Sequence, residues 1–153
     1  MNGSPIDHLF TLQRTPFALA PVIHQFYESS ETRERDVLLS YLVFPLVLYP
    51  PMRTFLMGVR ATSSLRTMCK EQNRLVGLTA RVQDFKSLTN AAMLILTAEH
   101  GIEIADDLSV RSIGEVRAAN ANKEFLNVGR KLAAVFSDVD VVSIYRTLGL
   151  KSL

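Results

Sequence analysis

The sequence predicts a single, mainly α-helical domain with one short β-hairpin inside a winged-helix-like unit. Three observations lead to this prediction. Apolar residues recur at helical spacing over most of the 153 residues. The spacing changes to an alternation of apolar and polar residues around positions 102–113. The composition, 48% hydrophobic and 21% charged, is that of a folded domain with its own core, and the length suits one domain.

The N-terminal part of the domain, about residues 15–60, opens with a predicted helix at Thr15–Pro16. Threonine caps a helix through its side-chain oxygen, and proline is tolerated at the first helical position. Phe17 and Ile23 follow at helical spacing. Pro21 removes one backbone hydrogen bond, so we expect a kink or a later start.

The most apolar stretch is LLSYLVFPLVLYPPM, residues 38–52. It is shorter than the roughly 20 apolar residues that a membrane-spanning helix needs. Pro45 lies in its middle and Pro50–Pro51 follow it. We therefore interpret it as a buried central helix that bends at Pro45 and stops at the paired prolines. Leu42 and Leu46 are expected in the core.

Residues 63–114 are predicted to form the winged-helix-like unit, with three helices followed by a hairpin. Ser63 or Ser64 would cap the first of these helices. Ser87 or Thr89 would open the third helix after a break from the second. The hairpin would then be the wing.

The hairpin and the C-terminal helices complete the predicted order. Gly101 is expected to stop the helix before the hairpin. Residues 102–113 alternate apolar and polar side chains around a turn at Asp106–Asp107. Helical spacing returns over about residues 120–150, where Gly149 is expected to close the last helix.

No motif for catalysis, nucleotide binding or metal binding is found in the sequence. It lacks the patterns GxxxxGK[ST], GxGxxG, HExxH and GxSxG. The three histidines need no catalytic or metal-binding role. His8 is expected in an N-terminal tail, His24 within the first helix, and His100 at a helix C-terminus, where it suits the helix dipole. Acidic side chains around residues 99–107 would point to opposite faces of the hairpin and not converge on a metal. We therefore expect no catalytic residue, no metal and no cofactor.

The expected compartment is the cytoplasm. The first residues, MNGSPIDHLF, lack the basic and apolar regions of a secretory signal. Cys69 is the single cysteine, which excludes an internal disulfide and fits a reducing compartment.

Basic residues of the central region are candidates for contact with nucleic acid. The formal net charge of +2 is too small to indicate such contact by itself. In a winged helix, Arg81, Lys86 and Arg111 could come near one surface, with Asn90 pointing outward from the recognition helix. Such phosphate contacts bind DNA without specifying its sequence. The alternatives are an ordinary solvated surface or an interface with an acidic protein.

Four stretches of the chain carry a resemblance to a known family. They are TPFALAPVIHQFYES, LLSYLVFPLVLYPPMR, GLTARVQDFKSLTNAAMLILTAEHGIEIADD and KLAAVFSDVDVVSIYRTLGLK. In this order they resemble the middle component of bacterial three-component ABC systems, a family to which the small subunit of Lamassu-type antiviral defence complexes is similar. Together they cover almost the whole chain. Thr15 replaces the usual asparagine and Pro21 is additional.

The resemblance implies a non-enzymatic adaptor or regulatory subunit. Its partners would be an SMC-like ABC ATPase, an effector that is often a nuclease, and double-stranded DNA met through the complex, with no membrane involved. An adaptor should expose apolar residues to its partners, and the candidates are Phe10, Leu12, Tyr145 and Leu150. The alternative is a free-standing winged-helix transcriptional regulator, which should form a symmetric dimer and bind one operator.

Overall fold

Seven α-helices, two 3₁₀ turns and one β-hairpin make up the part of the chain that the computed structural model describes, residues 15–60, 62–119 and 121–151. The elements are α1 (Pro16–Glu28), a 3₁₀ turn (Asp36–Leu39), α2 (Ser40–Val47), α3 (Pro50–Met57), α4 (Leu65–Met68), a second 3₁₀ turn (Gln72–Arg74), α5 (Leu78–Ala98), β1 (Ile102–Ile104), β2 (Val110–Ser112), α6 (Lys123–Val135) and α7 (Val141–Thr147). The prediction of a mainly α fold with one hairpin is confirmed.

Helix α1 lies at the centre of the fold and packs against both α5 and α6. It begins where the sequence predicts, with the Thr15 hydroxyl accepting a hydrogen bond from the Ala18 amide at 3.2 Å. Pro21 is buried inside the helix, so it does not delay the start. Helix α6 approaches closely because Gly129 has no side chain. A Cβ atom there would lie 3.1 Å from the Val22 carbonyl oxygen.

The apolar stretch forms two helices instead of one bent helix. Helix α2 contains Pro45 and ends at Val47, and the chain then turns by about 100° into α3. The expectation that Pro50–Pro51 stops the helix is wrong, because these prolines begin α3. The first helical turn has amides without intrahelical partners, so proline costs nothing there. In the described ranges no single helix is both long and apolar enough to cross a bilayer; α2 with its 3₁₀ turn and α3 pass that test only as a bent pair.

The core forms around α2. Leu42 and Leu46 are fully buried, as predicted. Helix α2 contacts α1, α3, α5 and α6, so its apolar side chains are covered from several directions. Aromatic rings extend this core, with Phe26 lying edge-on to Phe136 at 6.0 Å between ring centroids.

The helical part of the predicted winged-helix unit differs from the prediction. Ser64 does cap a helix, through a reciprocal hydrogen-bonded box with Thr67, but that helix is a single turn. The predicted break at Ser87 or Thr89 is wrong, because α5 runs unbroken over 21 residues and buries Thr89 completely. Packing of α5 against α1 and α2 outweighs the weak capping preference of these two residues. The winged-helix order is therefore not confirmed.

Helix α5 ends at Ala98, three residues before the predicted glycine stop. His100 takes the left-handed conformation (φ 60°), and the Gly101 amide donates to the Leu96 carbonyl at 2.9 Å. Gly101 instead leaves room for a neighbouring side chain. A Cβ atom at this position would lie 3.0 Å from Cε1 of His24.

The hairpin is attached to the N-terminal half of the chain by a buried carboxylate. Asp36, 1% exposed, accepts hydrogen bonds from the Val110 amide at 2.5 Å and the Arg33 amide at 3.0 Å. The Val37 amide also donates to the carbonyl of Leu108, in the hairpin turn, at 3.0 Å. Asp36 thus sets where β2 lies relative to the helices.

Candidate interaction surfaces

Arg81, the first of the predicted DNA contacts, is used inside the fold. Its Nε donates to the Pro45 carbonyl at 3.1 Å, and its Nη1 donates to the Val76 carbonyl. The guanidinium lies 3.6 Å from the ring centroid of Tyr49. Partial burial lowers the pKa of Arg81 from its ordinary value. Arg81 therefore joins the start of α5 to α2 and to the turn between α2 and α3, and a phosphate would have to compete with these contacts.

The other three candidates are not gathered around Arg81. Lys86 is half-buried, Asn90 accepts a hydrogen bond from the Tyr41 hydroxyl at 2.5 Å, and Arg111 pairs with Glu103 across the hairpin. Arg81 lies in the first turn of α5, whereas the hairpin follows its last turn, about 25 Å further along the helix. The single surface predicted for these residues required a break in α5. DNA contact at them stays a prediction.

The exposed side of the second half of α5 carries no charge. Residues 87–98 contain no Asp, Glu, Lys or Arg over about 18 Å of helix. Five of these residues are exposed and lie on one side, and we call them the uncharged face: Ser87, Asn90, Leu94, Thr97 and Ala98. Leu94 is 72% exposed in their middle. A solvated helix face normally carries charged residues, so this face has the composition of a contact surface.

A groove of about 980 Å³ lies between α1, the end of α5 and residues 114–119, with His24 in its wall. His24 is 2% exposed, and its Nε2 lies 2.9 Å from the Ser112 hydroxyl oxygen. Burial lowers the pKa of His24, although Glu28 and Glu99 partly oppose this shift. The imidazole therefore joins α1 to β2 in its neutral form.

This burial predicts a loss of stability in mild acid. The unfolded chain binds a proton at His24 with a pKa near 6.5, above that of the folded protein. The contribution of neutral His24 is thus present above about pH 6.5 and is lost as the pH falls below it. We expect the melting temperature of the parent protein to fall between pH 7.5 and 5.5, and to fall less in His24→Gln. Equal falls in the two proteins would contradict this role for His24.

Another candidate surface, besides the uncharged face, is a groove of about 650 Å³ along the last helix. We call it the α7 groove. Its lining residues are Leu38, Val141, Val142, Tyr145, Arg146, Gly149, Leu150 and Lys151. Tyr145 and Leu150, two of the predicted interface residues, are therefore brought together. The predicted exposure of Leu150 is wrong, because its side chain is 7% exposed and packs into the core. Phe10 and Leu12, the other two, lie outside the described residues.

Local structure explains how α7 presents this groove. Asp140 caps the helix by accepting a hydrogen bond from the Ser143 amide at 3.1 Å. Gly149 closes it in the left-handed conformation (φ 78°), as predicted, and the Leu150 amide donates back to the Tyr145 carbonyl at 3.0 Å. Leu150 is thereby placed beside the helix.

Leu94 and Val142 were missed by the sequence prediction. Both occupy helical positions next to buried residues, so their exposure depends on how each helix is rotated against its neighbours. A signal for Leu94 was present in the charge-free run of residues 87–98. Val142 gave no such signal, since Asp140 and Arg146 lie close to it in the sequence.

Comparison with known proteins gives one finding. The family model described as "ABC-three component (ABC-3C) system Middle Component 3" matches residues 3–152. No curated protein and no solved structure matches the chain. The match spans nearly the whole sequence, including both surfaces described above.

Proposed function

The chain belongs to the Middle Component 3 family of ABC-three component systems, and we propose that it acts there as a non-enzymatic adaptor. In this proposal it holds an SMC-like ABC ATPase together with an effector, often a nuclease, in defence against phage or plasmids. The system would be similar to Lamassu-type complexes. Membership in the family supports a role beside the other components of such a system.

The uncharged face of α5 carries the proposal. A single exposed leucine is common on protein surfaces and means little by itself. Here Leu94 lies within three helical turns that present small or neutral side chains and no charge. Such a face allows another helix to approach closely and loses no solvated charge when it is covered. We propose that a helix of the ATPase component packs on it.

Leu94→Glu tests this contact. The substitution places a charge in the centre of the proposed contact and is expected to weaken association with the purified ATPase component at least about tenfold, because an unpaired charge would have to be buried. The stability of the isolated chain should change by no more than about 0.5 kcal/mol, since Leu94 is exposed. Isothermal titration calorimetry and thermal melting measure the two effects.

Val76→Glu is the matched control. Val76 is 61% exposed and precedes α5, so the same chemical change occurs away from the uncharged face. It should leave association unchanged. Parent-like binding by both variants would reject the α5 contact, and equal loss in both would show a general effect of added negative charge.

Contact with double-stranded DNA is proposed for the assembled complex. At Arg81 a phosphate would have to compete with the Pro45 and Val76 carbonyls that the guanidinium already binds. The alternative of a free-standing winged-helix regulator needed a separate recognition helix before the hairpin. In the described residues, 78–98 form one continuous helix, α5, so the predicted second and third helices of the winged-helix unit are not separate. The adaptor is therefore the function that the geometry supports best.

A further inference from the structure

We propose that the α7 groove binds an amphipathic segment of another component, one whose apolar residues are flanked by aspartate or glutamate. The inference rests on the proposed function, because it takes the occupant from the same complex. It concerns a different helix from the uncharged face of α5 and a partner of different chemistry. The two can therefore be tested separately.

The floor of the groove is apolar. Val142 is 50% exposed, and Tyr145, Leu38 and Leu150 line the same groove. A volume of about 650 Å³ is in the range of sites that take up a few side chains of a ligand. Covering Val142 would remove a half-exposed apolar side chain from water.

The walls of the groove are held in place before any partner arrives. The Tyr145 hydroxyl donates to the Leu38 carbonyl and so ties α7 to the 3₁₀ turn before α2. Burial raises the pKa of Tyr145, so this hydroxyl keeps its proton even in alkaline solution. The turn at Gly149 holds Leu150 on the other side. A preformed groove saves a binding segment part of the ordering cost.

The charges around the groove have one sign. Arg146 and Lys151 are exposed and line it, and its lining contains no carboxylate. Within the described ranges no carboxylate oxygen comes within 4 Å of either cation. Asp140 interacts weakly with the charge of Arg146, but it lies outside the lining. Its carboxylate oxygens accept hydrogen bonds from the Ser143 amide and hydroxyl.

Two grooves of about 980 and 1330 Å³ differ in this respect. The groove at His24 has Glu99 and Glu115 beside Arg117, and the groove at α4 has Glu31 and Asp138 beside Arg66 and Lys70. Mixed charges favour no particular partner. The cations of the α7 groove favour an acidic one, because complementary charge at the rim raises the rate of association and selects the partner.

The same charges disfavour a second copy of this chain as the occupant. A twofold contact through the α7 groove would place Arg146 and Lys151 against the same residues of the other copy. Like charges facing each other in an interface are unfavourable. An acidic segment of a different protein avoids this repulsion.

A photo-crosslinking experiment identifies the occupant. Val142 is replaced by p-benzoylphenylalanine in the full chain, co-expressed with the other components of its system, and the assembled complex is irradiated and analysed by mass spectrometry. We expect a cross-link to a segment of another component, with apolar residues flanked by Asp or Glu. A cross-link to residues 1–14, to a second copy or to a segment without acidic flanks would overturn the inference, as would no cross-link in an assembled complex.

Charge reversal tests the rim. Arg146→Glu with Lys151→Glu should weaken binding of the cross-linked component about tenfold at low salt, the combined effect of two exposed ion pairs. Reversing the acidic flanks of the partner segment should restore it. Arg66→Glu with Lys70→Glu, two exposed cations outside the α7 groove, is the matched control and should bind like the parent.

The outcomes separate this inference from the proposed function. If Leu94→Glu prevents assembly while the reversal at Arg146 and Lys151 has no effect, the adaptor proposal stands and the α7 groove inference fails. If the reversal weakens binding and Leu94→Glu does not, the groove inference stands and the α5 contact is wrong. A chain that assembles with no other component would overturn both.

Discussion

Leu46→Ala is expected to lower the free energy of unfolding by roughly 2–5 kcal/mol, and Leu42→Ala by a similar amount. Both side chains are fully buried in α2, which contacts α1, α3, α5 and α6. Truncating either one removes apolar contacts and leaves a cavity that rigid neighbouring helices cannot fill.

Chemical denaturation followed by circular dichroism measures this change. Leu94→Ala removes the same atoms from an exposed helical position and should change stability by no more than about 0.5 kcal/mol. A loss below about 1 kcal/mol in Leu46→Ala would mean that α2 is not the centre of the core.

Deleting the gene is expected to abolish defence, although the purified chain should hydrolyse neither ATP nor DNA, with or without divalent metal ions. The physical reason is that an adaptor supplies contacts and its partners supply the chemistry. In the proposed role, the ATPase and the effector would lose their connection without it. Phage plating efficiency and plasmid retention measure the first effect, and assays on the purified chain measure the second.

Ile144→Pro should behave like the deletion. Ile144 is fully buried in α7, and its amide donates to the Asp140 carbonyl at 3.0 Å. Proline removes that bond and clashes with the preceding turn, at a cost of about 3 kcal/mol or more. Ser143→Ala, in the same helix, is a milder control that should retain defence. Full defence without the gene, or metal-dependent DNA cleavage by the chain alone, would contradict the adaptor function.

Elements with strong local signals were predicted from the sequence. Thr15–Pro16 starts α1, Gly149 closes α7, and the alternation over residues 102–113 marks the hairpin. In each case a side-chain cap, a positive φ or a change of period determines the local structure. Such features act over a few residues, so sequence alone is enough to recognise them.

Elements determined by packing were not predicted. Ser87 and Thr89 resemble helix starts, yet α5 continues through them because α1 and α2 cover its buried side. Pro50–Pro51 could end one helix or begin the next, and the 100° turn selects the second. These choices depend on contacts between distant parts of the chain.

Among the candidate surface residues, too, some were predicted from the sequence and others depend on packing. Tyr145 and Leu150 were predicted as interface residues, and the structure places them in one groove. Arg81 was assigned to DNA because its charge is visible in the sequence, whereas its stacking on Tyr49 depends on the path between α2 and α3. Charge alone does not tell a binding residue from a structural one.

The hydrogen bond that the Val110 amide donates to the Asp36 carboxylate joins residues 74 positions apart. Two strands of three residues each are too short to persist alone, so the hairpin gains its stability only after the N-terminal half has been brought to it. Closing so long a loop carries an entropic cost and slows folding. We therefore expect that residues 63–114 do not fold on their own. Recombination that exchanged this segment between relatives would separate the hairpin from the carboxylate that holds it, and a functional chimera would have to inherit Asp36 as well.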